Sequence, residues 1–114
     1  MLRYLLLPLV LLQHFSTLQT VEVFTKTMEH DYTLVDVRTP EEFADGALPN
    51  AINISVTSLG FPFEINQLDK EKPVMIYCKG GTRSARAAVA MKALGFTTIY
   101  ELEGGYLAWK AANN

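Results

Sequence analysis

The residues best suited to chemistry follow Tyr77, where a cysteine is followed within five positions by two glycines and an arginine. Only a thiolate is nucleophilic, and the pKa of a cysteine falls near a helix start and near cations. Two adjacent glycines let a loop curl so that its N–H groups converge on an anion. We therefore predict Cys78 as a nucleophile, with a binding loop formed by Lys79, Gly80, Gly81, Thr82, Arg83 and Ser84.

The charges around this loop favour an anionic sulfur and an anionic substrate. Between Lys72 and Tyr100 the chain has no acidic residue and five basic ones: Lys72, Lys79, Arg83, Arg86 and Lys92. The planar fork of Arg83 suits oxyanions, so we expect this side chain to point into the loop. Simpler interpretations remain open, namely an inert thiol, a solvated lysine, and helix capping by Thr82 and Ser84.

A strand and a helix must flank this loop. Val74–Tyr77 is a short apolar run typical of a buried strand, and Ser84–Leu94 is alanine-rich with Gly95 where a helix cap would lie. Similar strand patterns occur at Thr33–Val37, Ala51–Ile54 and Thr97–Leu102. Strands that alternate with helices predict an α/β fold with a mainly parallel sheet and helices on both faces. Ligands of such sheets bind beyond the carboxyl ends of the strands.

The remaining helices are predicted from capping patterns. Ser16 or Thr17 would cap a helix whose apolar positions are Leu18, Val21, Phe24 and Met28. Thr39, Pro40 and Glu42 form a capping-box pattern for a short helix that ends at Asp45-Gly46. Gly104-Gly105 lead into a last amphipathic helix, whereas Ser58–Leu68 has no clear pattern.

The first residues, Met1–Leu12, contain a single arginine, Arg3, followed by the apolar run Tyr4–Leu12. A membrane span needs roughly 20 apolar residues, so this run is too short. It lacks the small-residue cleavage site of a secretory signal. We favour an apolar extension over residues 1–14, ahead of one domain over residues 15–114, and a location in the cytoplasm. Export through this segment, and membrane contact by Met1–Leu12, are the alternatives.

The composition excludes several classes of protein. With 49% hydrophobic and 19% charged residues, 114 residues can build one real core and are not a disordered chain. Ten basic against twelve acidic residues leave a net charge of −2, which gives no reason to expect nucleic acid as a partner. The single cysteine excludes an internal disulfide.

Several segments together resemble the rhodanese-like domain family, in register from about Phe15 to Lys110. Leu34–Phe43 is similar to the first signature of these domains, and Ile76–Ala85 is similar to their active-site loop. Gly95-Phe96 and Leu102–Trp109 resemble the end of the domain.

This resemblance implies a sulfurtransferase in which Cys78 takes the outer sulfur of thiosulfate or a similar anionic donor as a persulfide. The sulfur would then pass to cyanide or to a thiol, either a small molecule or a thioredoxin-like protein. The amides of Lys79–Ser84 would hold the sulfur, while Arg83 and Lys79 would orient the donor. The resemblance implies no metal and no organic cofactor. It assigns Asp36 and Arg38 structural roles, and a carboxylate in an apolar strand needs such a partner.

Two other functions stay open. Related folds include phosphatases and arsenate reductases with five residues between cysteine and arginine, whereas Cys78 and Arg83 enclose four. Non-catalytic binding modules of the family usually lack the cysteine. Departures from the family pattern, at Gly46–Asn50 and at Ser55-Val56, lie away from the loop and concern only the rim of the pocket.

Overall fold

Within residues 16–114 the sheet has five strands, all parallel, in the order β1-β5-β4-β2-β3. The computed structural model describes residues 16–114, so the predicted role of Met1–Leu12 lies outside the described residues. The strands are β1 (Ser16–Gln19), β2 (Thr33–Asp36), β3 (Ile52–Asn53), β4 (Val74–Tyr77) and β5 (Ile99–Leu102).

In the described part of the chain, five helices connect and cover these strands. They are α1 (Val21–Thr27), α2 (Pro40–Ala44), α3 (Phe61–Ile65), α4 (Thr82–Ala93) and α5 (Gly105–Ala112). Within residues 16–114, none of the helices combines the length and the apolar character needed to cross a bilayer.

The central strand β4 separates two hydrophobic cores. Val74 and Ile76 belong to one core, which includes buried residues of α3 and α4. Met75 and Tyr77 belong to the other, against which α1 and α5 pack. All four side chains of β4 are fully buried, because a parallel sheet is covered on both faces. The predicted α/β fold with helices on both faces is therefore confirmed.

The prediction of a helix cap at Ser16 or Thr17 is wrong. Ser16–Gln19 forms the edge strand β1, which pairs with β5 along its whole length. The helix begins at Val21 instead, where the Thr20 hydroxyl accepts a hydrogen bond from the Val23 N–H at 3.3 Å. Helical spacing from Leu18 was accidental, because this side chain is 59% exposed on the edge strand.

Two further helix starts bear on the site. The capping box of α2 is confirmed, because Thr39 accepts from the Glu42 N–H and the Glu42 carboxylate accepts from the Thr39 N–H. Helix α4 begins earlier than predicted, at Thr82, and its N-cap is Gly81 with φ at 117°. Capping by Thr82 or Ser84 is therefore wrong. Glycine is needed here because other residues rarely adopt this backbone conformation.

Candidate active site

Cys78 lies between the carboxyl end of β4 and the first turn of α4. This edge of a parallel sheet is where ligands of α/β proteins bind. The residue is only 1% exposed and belongs to the core that also contains Ile76 and Ala87. Its burial alone would suit an inert thiol, so the polar groups around the sulfur decide its character.

The sulfur is surrounded by hydrogen-bonding groups of the helix start. The Gly81 N–H donates to Cys78 Sγ at 3.0 Å. The Ser84 hydroxyl lies 3.6 Å from the sulfur and donates to the Gly81 carbonyl at 3.0 Å. Because Ser84 is fully buried, water does not compete for the hydrogen bonds of its hydroxyl. The Gly81 N–H therefore points toward the sulfur.

These groups shift the pKa of Cys78 in a direction opposite to that of burial. Burial raises the pKa of the thiol, but the hydrogen bond with the Ser84 side chain and the bonds from the N–H groups of Ser84, Gly81 and Arg83 lower it. The net result is a pKa below the ordinary value of a cysteine. The site thus favours the thiolate, which is the nucleophilic form.

A second helix start holds the backbone of the loop. The Tyr106 N–H donates to the Cys78 carbonyl at 2.8 Å, and the Leu107 N–H donates to the Lys79 carbonyl at 3.1 Å. This approach requires glycine at position 105, where a Cβ atom would lie 2.5 Å from both carbonyl oxygens. Helix α5 therefore fixes the position of the loop from outside the loop sequence.

The outer side of the loop is open. Lys79, Gly80 and Thr82 are exposed. A Cβ atom added at Gly80 or at Gly81 would meet nothing within 4 Å. There is room above the loop for a small ligand, although the sulfur itself is covered.

Arg83 binds an acidic residue of another element. Its two terminal nitrogens contact the two carboxylate oxygens of Glu42, in α2, at 2.6 and 2.9 Å. The expectation of uncompensated positive charge around the loop therefore does not hold for Arg83, because the acidic partner lies 41 positions away in sequence. Lys72 likewise has an ion-pair partner, Asp31, at 3.0 Å.

Asp36 and Arg38 form a buried pair, as the sequence predicted. Arg38 Nη2 lies 2.6 Å from Asp36 Oδ2 and donates to the Gly46 carbonyl at 2.6 Å. The guanidinium carbon of Arg38 lies 4.2 Å from the centre of the Tyr106 ring. The pair therefore connects β2 to the loop after α2 and to α5, which also holds the cysteine loop.

A surface cavity of about 290 Å³ adjoins the loop without reaching Cys78. Its lining combines charged side chains with Tyr106 and Leu107; the charged members are Arg38, Glu42, Asp45, Lys79 and Lys110. Among residues 16–114, no group of three His, Cys, Asp or Glu side chains could hold a metal ion.

Sequence reasoning missed two residues of the site. It explained Glu42 by its capping box alone, and nothing in the local sequence indicates the second contact with Arg83. It placed Tyr106 only on an amphipathic helix. Gly104-Gly105 before Tyr106 was the available signal, because adjacent glycines often mark a close backbone approach.

Comparisons with known proteins agree with this geometry. Residues 20–112 match the rhodanese-like domain family. The chain is 31% identical to the thiosulfate sulfurtransferase GlpE of Coxiella burnetii, over 85% of this chain and 89% of that protein. It is 35% identical to a sulfurtransferase of Allochromatium vinosum, over 69% of this chain and 72% of that protein.

A solved structure shares the fold at comparable similarity. The rhodanese-related protein of Thermoplasma volcanium superimposes with a TM-score of 0.73 at 30% identity, over 84% of this chain and 92% of that one. The family resemblance and the α/β fold predicted from the sequence are thereby confirmed. The chain belongs to the rhodanese-like domain family.

Proposed function

We propose that this chain is a sulfurtransferase that carries sulfane sulfur as a persulfide on Cys78. Thiosulfate or a similar donor would supply the sulfur, and cyanide or a thiol would accept it. The observation that carries the proposal is the polar surrounding of the Cys78 sulfur at the start of α4, where the Gly81 N–H donates to it and the Ser84 hydroxyl lies 3.6 Å away. The names of relatives such as the sulfurtransferase of Allochromatium vinosum support the same reaction class.

The first step is attack by the Cys78 thiolate on the outer sulfur of the donor. With thiosulfate, the Cys78 S–S bond forms, the S–S bond of thiosulfate breaks, and sulfite leaves with the electron pair. An acceptor thiolate then attacks the outer sulfur of the persulfide and releases the Cys78 thiolate. This is covalent catalysis in two half-reactions, and its electron balance requires no metal and no organic cofactor.

The loop Lys79–Ser84 supports the intermediate in this proposal. The Gly81 N–H already donates to the sulfur, and the Ser84 hydroxyl beside it would turn from the Gly81 carbonyl to donate to the thiolate. Lys79 is exposed next to the loop and would meet the incoming donor. Asp36 and Arg38 would act structurally, through their contacts with the loop after α2 and with α5.

The size of the loop favours sulfur over phosphate. Only four residues separate Cys78 and Arg83, one fewer than in the cysteine phosphate loops of related folds. Arg83 is also held by Glu42, whereas a phosphate loop needs its arginine free for the phosphoryl oxygens. A binding module without catalysis would have no use for a depressed thiol pKa.

Intact mass measurement tests the proposal directly. After treatment with thiosulfate, we expect the protein to gain the mass of one sulfur atom, and a reductant should remove it. Cys78→Ser should gain nothing while it keeps the wild-type fold, because the substitution replaces one buried atom. A wild-type protein that gains no sulfur from any sulfane donor would contradict the proposed function.

A further inference from the structure

The ion pair between Arg83 and Glu42 occupies the end of the guanidinium that carries its two terminal nitrogens. Each terminal nitrogen of Arg83 contacts a different oxygen of Glu42, and the two side chains are 23% and 29% exposed. Such a two-point contact uses one of the parallel N–H pairs with which a guanidinium binds an oxyanion, and the carboxylate offsets its charge. Arg83 is thus engaged within the protein before any donor arrives.

Glu42 is itself held in place. Its Oε1 atom accepts hydrogen bonds from the Thr39 N–H at 3.2 Å and from the Thr39 hydroxyl at 3.1 Å. The contact with Arg83, opposed by burial and assisted by Thr39, lowers the pKa of Glu42 to about 2. The carboxylate therefore stays charged at neutral pH and cannot release Arg83 by taking up a proton.

The other charges near the site do not compensate for the neutralisation of Arg83 by Glu42. Once Cys78 is ionised, the positive groups of the site and the adjoining cavity equal the negative ones in number: Arg38, Lys79, Arg83 and Lys110 against Asp36, Glu42, Asp45 and Cys78. A dianion such as thiosulfate meets no excess of positive charge, and it must approach a thiolate of the same sign. A donor of lower charge faces a weaker repulsion.

We propose that Glu42 is a positioning residue that withholds Arg83 from anionic donors, so that this chain takes its sulfur from an organic hydropersulfide in preference to thiosulfate. This inference rests on the proposed function and specifies its donor. The Cys78 thiolate attacks the outer sulfur of R–S–SH, and the new S–S bond forms at Cys78. The S–S bond of the donor breaks, R–S⁻ leaves, and the proton stays on the transferred sulfur. No oxidant or reductant is needed.

The test compares two donors in two variants. Glu42→Gln removes the charge but keeps an oxygen that accepts from the Thr39 N–H. Glu41→Gln is the matched control, because Glu41 is the exposed neighbour in α2 and the substitution changes the net charge equally. KM and kcat are measured with thiosulfate and with cysteine hydropersulfide.

We expect Glu42→Gln to lower KM for thiosulfate about tenfold, because Arg83 gains a charge-assisted contact with the donor. Its kcat with thiosulfate, and its KM for the hydropersulfide, should stay within about twofold of wild type. In the wild type, kcat/KM should favour the hydropersulfide. The decrease in KM for thiosulfate must vanish in Glu42→Gln/Arg83→Gln, since Glu42 acts through Arg83.

An unchanged KM for thiosulfate in Glu42→Gln, or an equal change in Glu41→Gln, would overturn the inference. If Glu42→Gln does not fold, Glu42→Asp serves instead, because its shorter side chain keeps the charge and weakens the two-point contact; a smaller decrease in the same KM is then expected. Failure of the proposed function looks different, because then neither donor adds sulfur to wild-type Cys78.

Discussion

Burial and hydrogen bonding act on the Cys78 thiol in opposite directions, and the balance between them determines its reactivity. Removal from solvent raises the pKa of the thiol, whereas the donors of the α4 start lower it below its ordinary value. Ser84 supplies the first of these opposing contacts, from a hydroxyl 3.6 Å from the sulfur. One buried side chain therefore helps to keep the pKa of Cys78 below its ordinary value.

Replacement of Ser84 by alanine should raise the pKa of Cys78. The depressed pKa keeps the thiolate populated at lower pH, so loss of a stabilising contact moves the midpoint upward. We expect alkylation by iodoacetamide at pH 7 to slow about threefold to tenfold. At a pH well above both midpoints the two proteins should react at similar rates.

The pH profile of the alkylation rate is the measurement that checks this. Thr97→Ala, which removes an exposed hydroxyl far along the chain, is the control and should keep the wild-type midpoint. A Ser84→Ala midpoint equal to or below that of wild type would show that the hydroxyl does not stabilise the thiolate.

The two ion pairs of the site show what residue patterns can and cannot predict. Asp36 and Arg38 lie two positions apart, so a buried carboxylate and its nearest cation were enough to predict their contact. Glu42 and Arg83 are 41 positions apart, and each already had a sufficient local explanation. A sequence does not show which distant charge will neutralise a local one.

At the scale of elements, the close contact between α5 and the cysteine loop makes Gly105→Ala the most informative helix substitution. Its Cβ atom would lie 2.5 Å from the Cys78 and Lys79 carbonyl oxygens, at a φ of 59°. The helix start must then retreat from the loop. We expect a loss of about 2–4 kcal/mol in the free energy of unfolding, together with slower sulfur transfer.

Urea unfolding and the sulfur-transfer rate check this prediction. Gly60→Ala is the control, because the nearest atom to its added Cβ lies at an ordinary distance of 3.7 Å and its φ is −83°. That variant should stay within about 1 kcal/mol of wild type. Equal stability of the two variants would mean that α5 adjusts without cost.

The short elements were the least predictable from sequence. The buried strand β4 and the helix α4 have strong patterns, and the flanking glycines locate the loop between them. Strand β1 was missed because four residues with one exposed leucine have no alternation, and the strand exists only through its pairing with β5. Its partner Ile99–Leu102 is remote in sequence, so local pattern could not indicate it.

At the scale of the whole molecule, the pair of Asp36 and Arg38 contacts several parts of the chain at once. The side chain of Asn53, in β3, donates to the carbonyls of both residues at 2.9 Å. Arg38 in turn contacts the Gly46 carbonyl and the Tyr106 ring. The side chains of the pair are 0% and 3% exposed, so neither charge can be satisfied by water.

Removal of one charge of the pair should therefore lower the free energy of unfolding more than removal of both. Arg38→Met leaves Asp36 buried without its counter-ion, and we expect a loss of about 3–5 kcal/mol in the free energy of unfolding. Asp36→Asn/Arg38→Met should be more stable than this single variant. Urea unfolding of the wild type and of both variants measures these free energies. A double variant less stable than the single one would contradict the expectation.

The burial of the only cysteine sets the conditions under which a carried sulfur could leave. The chain offers no second thiol that could discharge a Cys78 persulfide by closing a disulfide. Bulk reductants would meet a residue that is 1% exposed, beneath a loop whose backbone α5 holds. In the proposed reaction, the lifetime of the Cys78 persulfide then depends on how often the loop opens. Only an acceptor narrow enough to enter the opened loop can take the sulfur.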